Sequence, residues 1–156
     1  MEKKILVIIF IAVAAALITA WIKGAFSIAT PTGVKVKIGG YEYSVEVVDT
    51  GPAMAQGLSD RDSLAPDHGM LFVFNPARSE VFWMHGMRFP IDIVWIANGR
   101  VTGVVHRAPV PEGISTPMFN SPGIVDYVLE VPADTALKNG IVAGSEVSIL
   151  GYDARN

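Results

Sequence analysis

The sequence predicts an α+β, mainly β domain: a small antiparallel, barrel-like fold with two short helices, preceded by an N-terminal transmembrane helix. Three observations support this prediction. Short apolar or alternating runs, the pattern typical of strands, recur from residue 34 onward. Turn-forming pairs such as Gly39-Gly40 and Asn98-Gly99 lie between these runs. A long uncharged apolar run, residues 5–22, stands ahead of the β-rich part.

The N-terminal run is long enough to cross a membrane. Residues 5–22 carry no charge and lie between lysines, and a spanning helix needs at least about 17 residues. A cleaved signal peptide has a shorter apolar region of about 7–15 residues, although Ser27-Ile28-Ala29 resembles a cleavage site. We therefore expect a membrane anchor or signal segment over residues 1–23, a tether over 24–33, and one domain over 34–156.

Both alternatives place this domain outside the cytoplasm. The chain is then a single-pass protein held in the cytoplasmic membrane through residues 5–22, or it is secreted if the segment is cleaved. It has no cysteine, so neither a disulfide nor a thiol nucleophile is available. Three of the twelve basic residues and one of the fifteen acidic residues lie at or before Lys23. The remainder carries a net charge of −5 without a basic run, which argues against a nucleic-acid partner.

The strands are predicted from alternation and from apolar runs. Residues 34–38 and 41–48 alternate on either side of Gly39-Gly40, which predicts a hairpin with one solvent-facing side. An apolar strand over 71–74 is expected to stop at Asn75-Pro76. Further strands are predicted over residues 81–84, 91–96, 101–106, 127–131 and 146–150.

Two helices and one long loop complete the prediction. Proline near the start and glycine after the end predict helices over 52–56 and from Pro132 to Gly140. Residues 107–123 contain four prolines and show no periodicity, so they are expected to form a loop over the sheet or barrel mouth. Met118 and Phe119 are the bulky apolar residues near its middle. The loop is either a binding lid or a structural flap with Phe119 in the core.

Two carboxylates lie inside strands that have no evident polar face. Asp92 shares a strand face with Val94 and Ile96, and Glu130 shares one with Val128. A buried carboxylate must be paired or protonated. The sequence suggests Arg61 or Arg88 as the partner. The pair would then either fix strand register or perform acid–base chemistry.

A histidine between two methionines raises the question of a metal. Met84, His85 and Met87 have ligand types that suit copper(I), although methionine commonly fills cores. The sequence lacks the two-histidine helical motif of zinc proteases, a Gly-x-Ser-x-Gly frame and a glycine-rich phosphate loop. We therefore predict no metal and no cofactor.

Six motifs follow one another in a specific order and spacing. They are GLSDR at 57–61, GMLFVF at 69–74, FWM at 82–84, FPIDI at 89–93, VLEVPA at 128–133 and Gly140-Ile141 followed by Gly144. Over about residues 34–150 the chain thus resembles the prokaryotic family filed as domain of unknown function 192. It departs from the family pattern at 85–87, where His-Gly-Met replaces Lys-Asn-Thr. The resemblance implies a small β-rich fold, frequently behind an N-terminal signal or anchor, and it implies no reaction. Arg61, Asp92 and Glu130 match motif positions.

The predicted function is that of a membrane-anchored, extracytoplasmic module that binds a ligand or a protein partner. The candidate ligand-binding residues are His85, Arg88, Met118 and Phe119. The alternative is a hydrolase-like or lyase-like enzyme in which Asp92 and Glu130 act with Arg61 or Arg88. Catalytic carboxylates should open into a pocket, whereas structural ones should be sealed.

Overall fold

The computed structural model describes residues 33–152. The predicted anchor over 1–23 and the predicted tether, apart from Gly33, lie outside the described residues. Within residues 33–152, no helix has the length and apolar character needed to cross a membrane.

The described part of the chain contains nine strands and two short helices. The eight predicted strands and both predicted helices are present, with ends that differ by a few residues. The helices are α1 (Gly51–Gln56) and α2 (Thr135–Lys138). The strands are β1 (Lys35–Ile38), β2 (Tyr41–Val48), β3 (His68–Arg78), β4 (Val81–Trp83), β5 (Ile91–Ala97), β6 (Arg100–Ala108), β7 (Met118–Asn120), β8 (Val125–Pro132) and β9 (Val147–Leu150).

Seven strands form one curled sheet in the order β6-β5-β8-β3-β2-β1-β9. At one end its two edges meet, because Arg100 of β6 bridges Glu146 and the Val101 amide donates to the Ser145 carbonyl at 2.9 Å. The mainly β, barrel-like prediction is confirmed as a curled half-barrel. The prediction of an antiparallel fold is wrong for one pair of strands, since β2 and β3 run parallel. Residues 49–67, including α1, form the crossover that a parallel pair requires.

Both faces of the sheet are buried. Successive residues of β3, β5 and β8 point to opposite faces, and they enter two separate apolar clusters. The first cluster includes Val36, Leu71, Val94, Leu129 and Ala136 of α2. The second cluster includes Leu58, Phe72, Phe82, Met87, Ile93, Trp95 and Val128.

Two predicted boundaries are wrong. Strand β3 does not stop at Asn75-Pro76 but continues to Arg78. The pairing with β8 shifts register between Val73 and Arg78, so the proline there removes no hydrogen bond between the two strands. The segment 107–123 is not entirely a loop, because Met118–Asn120 forms β7 and pairs with β4. The four prolines of that segment lie outside the strands, as their missing N–H groups require.

Candidate functional site

Asp92 is a structural carboxylate. Its side chain is fully buried, and it accepts backbone N–H groups from Arg107 at 2.7 Å, Asp134 at 3.2 Å and Ala136 at 2.8 Å. These bonds join β5 to the end of β6 and to the start of α2. The charge of Asp92 is therefore stabilised by three amide dipoles.

The predicted arginine partners pair elsewhere. Both terminal guanidinium nitrogens of Arg61 donate to Glu46, at 2.5 and 2.8 Å. The exposed Arg88 donates to Asp62 at 2.7 Å and lies 3.6 Å from Asp60. Within residues 33–152 no arginine side chain forms an ion pair with Asp92 or Glu130, so that prediction is wrong. At Asp92, backbone N–H groups are the hydrogen-bond donors where an arginine was predicted. Sequence patterns do not show which backbone groups will lie beside a side chain.

Glu130 has a different environment. It lies on β8 opposite Met70 of β3 and Ile93 of β5, on the face of the second cluster. Only 5% of its surface is exposed, and its Oε2 finds no hydrogen-bond partner among the described residues. Burial raises the pKa of Glu130 to about 8, and the charge of Arg61 opposes that rise. Glu130 is therefore largely a neutral carboxylic acid at pH 7.

The backbone brings Glu130 close to β3 through a glycine. A Cβ added at Gly69 would lie 2.8 Å from the Glu130 carbonyl oxygen and 3.0 Å from a Leu129 methyl. A larger residue at position 69 would push β8 away from β3. Asp92 and Glu130 lie on opposite faces of the sheet, because Asp92 is opposite Val131 of the first cluster. The two carboxyl groups cannot contact one small substrate.

A cleft of about 330 Å³ opens beside Glu130. Its apolar wall is formed by aromatic rings and thioethers, and the paired side chains of Arg78 and Glu80 supply most of its charge. Helix α1, the turn after it, β3, β4 and β8 all contribute. The main lining residues are Met54, Ala55, Gln56, Leu58, Ser59, Phe72, Phe74, Arg78, Glu80, Phe82, Trp83, Met87 and Glu130.

Four residues predicted to bind a ligand lie elsewhere in the described structure. Met118 is 61% exposed opposite Trp83 in the β4–β7 pair, and His85 packs against the Trp83 ring with centroids 5.2 Å apart. Phe119 points the other way and packs against the second cluster, as expected for a structural flap. None of these residues, nor Arg88, lines the 330 Å³ cleft. Their role in binding stays a prediction.

The residues of the copper hypothesis do not share one environment. Met84 and Met87 are buried in the second cluster, whereas the His85 side chain is exposed. Packing in the core accounts for both methionines.

Comparison with known proteins identifies the family. The sequence profile described as "Uncharacterized ACR", domain of unknown function 192, matches residues 34–149. The chain belongs to this family. The resemblance noted from its motifs is thereby confirmed.

Two solved structures are similar to this member of the family. One is a protein of unknown function from Novosphingobium aromaticivorans, with 27% identity and a TM-score of 0.68, covering 73% of this chain and 83% of that one. The other, from Sinorhizobium meliloti, is provisionally described as a transcription regulator. It has 30% identity and a TM-score of 0.67, covering 76% of this chain and 93% of that one. No curated protein is significantly similar.

Four of the motifs that carry the family resemblance meet at the cleft, and the FPIDI motif at 89–93 does not line it. Gly57, Leu58 and Ser59 come from the first motif, Phe72 and Phe74 from the second. Phe82 and Trp83 come from the third motif and Glu130 from the fifth. The sequence interpretation missed the cleft because these motifs are up to about 70 residues apart. One feature of the sequence could have indicated the cleft: Phe72 and Phe74 are two aromatic residues on one face of a strand.

Proposed function

We propose that this protein is a membrane-anchored, extracytoplasmic binding module whose cleft beside α1 takes a small ligand with an apolar body. The observation that supports this most is the combination of an aromatic wall with one buried carboxyl group, Glu130, at the same cleft. Ligand sites are typically concave and apolar, with few polar groups that orient the ligand, and volumes begin near 300 Å³.

A binding role fits this geometry better than the enzymatic alternative. Acid–base chemistry with split pKa values needs two titratable groups that reach one substrate. Asp92 is enclosed by three backbone amides on the far side of the sheet from Glu130. Arg61, the third candidate, is held by Glu46. Among the described residues that line the cleft, Glu130 is therefore the single buried acid.

The methionines provide a direct test of binding in the cleft. The full-length chain, labelled with ¹³C at its methionine methyl groups, is titrated with 2-phenylethanol and with indole. We expect saturable shifts of the Met54 and Met87 signals, because both residues line the cleft. The signal of Met118, which lies outside the cleft, should stay in place.

A blocking variant and a matched control sharpen this test. Ala55 is an exposed residue of α1 at the cleft, so Ala55→Trp should weaken binding by at least about tenfold, or ~1.4 kcal/mol. Ala143→Trp changes an exposed turn away from the cleft and should have no effect. Shifts confined to Met118 would contradict the cleft and favour the predicted site around His85 and Met118.

The membrane anchor is a second testable part of the proposal. It is supported by the uncharged run over residues 5–22 with lysines on both sides. The full-length protein should sediment with membranes and resist carbonate extraction. Replacing Ile9 and Val13 together by lysine should release it, because each lysine near the centre of a spanning helix costs about 2.5–3.5 kcal/mol. A soluble wild-type species beginning near Thr30 would show instead that the segment is a cleaved signal.

A further inference from the structure

Among the described residues, the Oε2 atom of Glu130 lacks the hydrogen-bond partner that a buried carboxyl oxygen normally has. Its cross-strand neighbours, Met70 and Ile93, are apolar, and its Oε2 accepts no hydrogen bond from any residue between 33 and 152. Most buried polar side-chain atoms are hydrogen-bonded, and an exception calls for an explanation. Because Glu130 lines the cleft, a ligand there can supply the missing partner.

The charges around Glu130 are compatible with a bound cation. Arg61 is paired with Glu46 on β2, and Arg78 at the cleft is paired with Glu80. Each pair is neutral, so Glu130 is the one acid without an ion-pair partner among the described residues that line the cleft. His68 lies two residues before Met70 on β3 and does not line the cleft.

The aromatic wall is also suited to a cation. Aromatic faces attract ammonium and guanidinium groups through the ring quadrupole. Phe72, Phe74, Phe82 and Trp83 line the cleft, and the Arg78 guanidinium already lies 4.8 Å from the centre of the Phe74 ring. A ligand with an apolar body and a positive end therefore matches both the wall and the acid.

We propose that the cleft binds a small organic amine, with its aromatic or aliphatic body against the wall and its ammonium group paired with the Glu130 carboxylate. This inference rests on the proposed function, because it names the chemical class of the ligand for the same cleft. The oppositely charged ammonium group would provide the ion pair that the buried carboxylate otherwise lacks.

Such an ion pair makes binding depend on pH. The pKa of Glu130 is about 8 in the free protein, so an ammonium ligand must bind the minor, ionised form at pH 6. The affinity for the amine should rise by up to about tenfold per pH unit from pH 6 toward pH 8. A neutral ligand of the same shape should bind without this rise.

The test compares 2-phenylethylamine with 2-phenylethanol on the ¹³C-methionine-labelled full-length chain at pH 6 and pH 8. At pH 8 the amine should shift Met54 and Met87 at concentrations at least about tenfold lower than the alcohol requires. Glu130→Gln should remove this preference and its pH dependence while leaving binding of the alcohol. Glu112→Gln removes an exposed acid that does not line the cleft, and it should behave like the wild type.

The outcomes separate the ligand class from the binding function. If both compounds shift Met54 and Met87 equally at both pH values, the cleft binds ligands and the amine assignment is overturned. An amine preference that survives in Glu130→Gln also overturns it, since another group then holds the ammonium. If neither compound shifts these two methyl groups, both the assignment and the proposed cleft function fail.

Discussion

Replacing Asp92 by alanine should lower the free energy of unfolding by about 3 kcal/mol or more. The substitution leaves the N–H groups of Arg107, Asp134 and Ala136 without their acceptor, and a stranded buried donor costs about 1–3 kcal/mol. Urea unfolding followed by tryptophan fluorescence measures the loss, since Trp95 is buried in the second cluster.

Two further variants isolate the cause of that loss. Asp92→Asn keeps one side-chain oxygen and should lose less stability than Asp92→Ala. Asp67→Ala removes an exposed carboxylate with no side-chain hydrogen bond among the described residues, and it should change stability by less than about 0.5 kcal/mol. A loss below about 1 kcal/mol in Asp92→Ala would mean that the three amides find water instead.

Glu130→Gln should remove a pH dependence of stability that the wild type shows between pH 5 and pH 8. The pKa of Glu130 is raised from 4.5 to about 8 on folding, so the folded state binds a proton that the unfolded state has lost. The stabilising effect of that proton is complete below pH 4.5 and is lost as pH rises through 8. The total loss is at most about 5 kcal/mol, and less if water enters the cleft.

The measurement is the difference in unfolding free energy between wild type and Glu130→Gln at several pH values. Groups that titrate identically in both proteins cancel in this difference. Relative to the wild type, the variant should gain stability steadily from pH 5 to pH 8, with little further change above. Glu112→Gln, at an exposed position, should give a constant difference. If the difference in unfolding free energy between wild type and Glu130→Gln were also independent of pH, the Glu130 carboxyl group would already be ionised at pH 5.

Much of the fold follows from local pattern. The alternation of Lys35–Ile38 and Tyr41–Val48 places one set of side chains in the core, and Gly39 at φ +59° makes the turn between them. Strand β7 was not predictable, because three residues that include Met118 and Phe119 carry too little periodicity. Its pairing with β4 arises only when the segment packs over the second cluster.

The candidate site was predictable only in part. Periodicity showed that Asp92 and Glu130 lie inside strands, yet it could not show what each carboxyl group faces. Both look alike in sequence, but Asp92 meets the amides of α2 while Glu130 meets a cleft. The partner of a side chain depends on which distant backbone packs beside it, and no strand pattern contains that information.

The sequence by itself determined the β-rich class, the positions of most turns, the two buried carboxylates and the family to which the chain belongs. Each of these depends on neighbouring residues or on motifs whose order is visible along the chain. Only the tertiary structure decided that β2 and β3 run parallel, that Arg61 pairs with Glu46, and that the motif residues form one cleft. These features arise from contacts between segments far apart in sequence, where packing and charge neutralisation act through space.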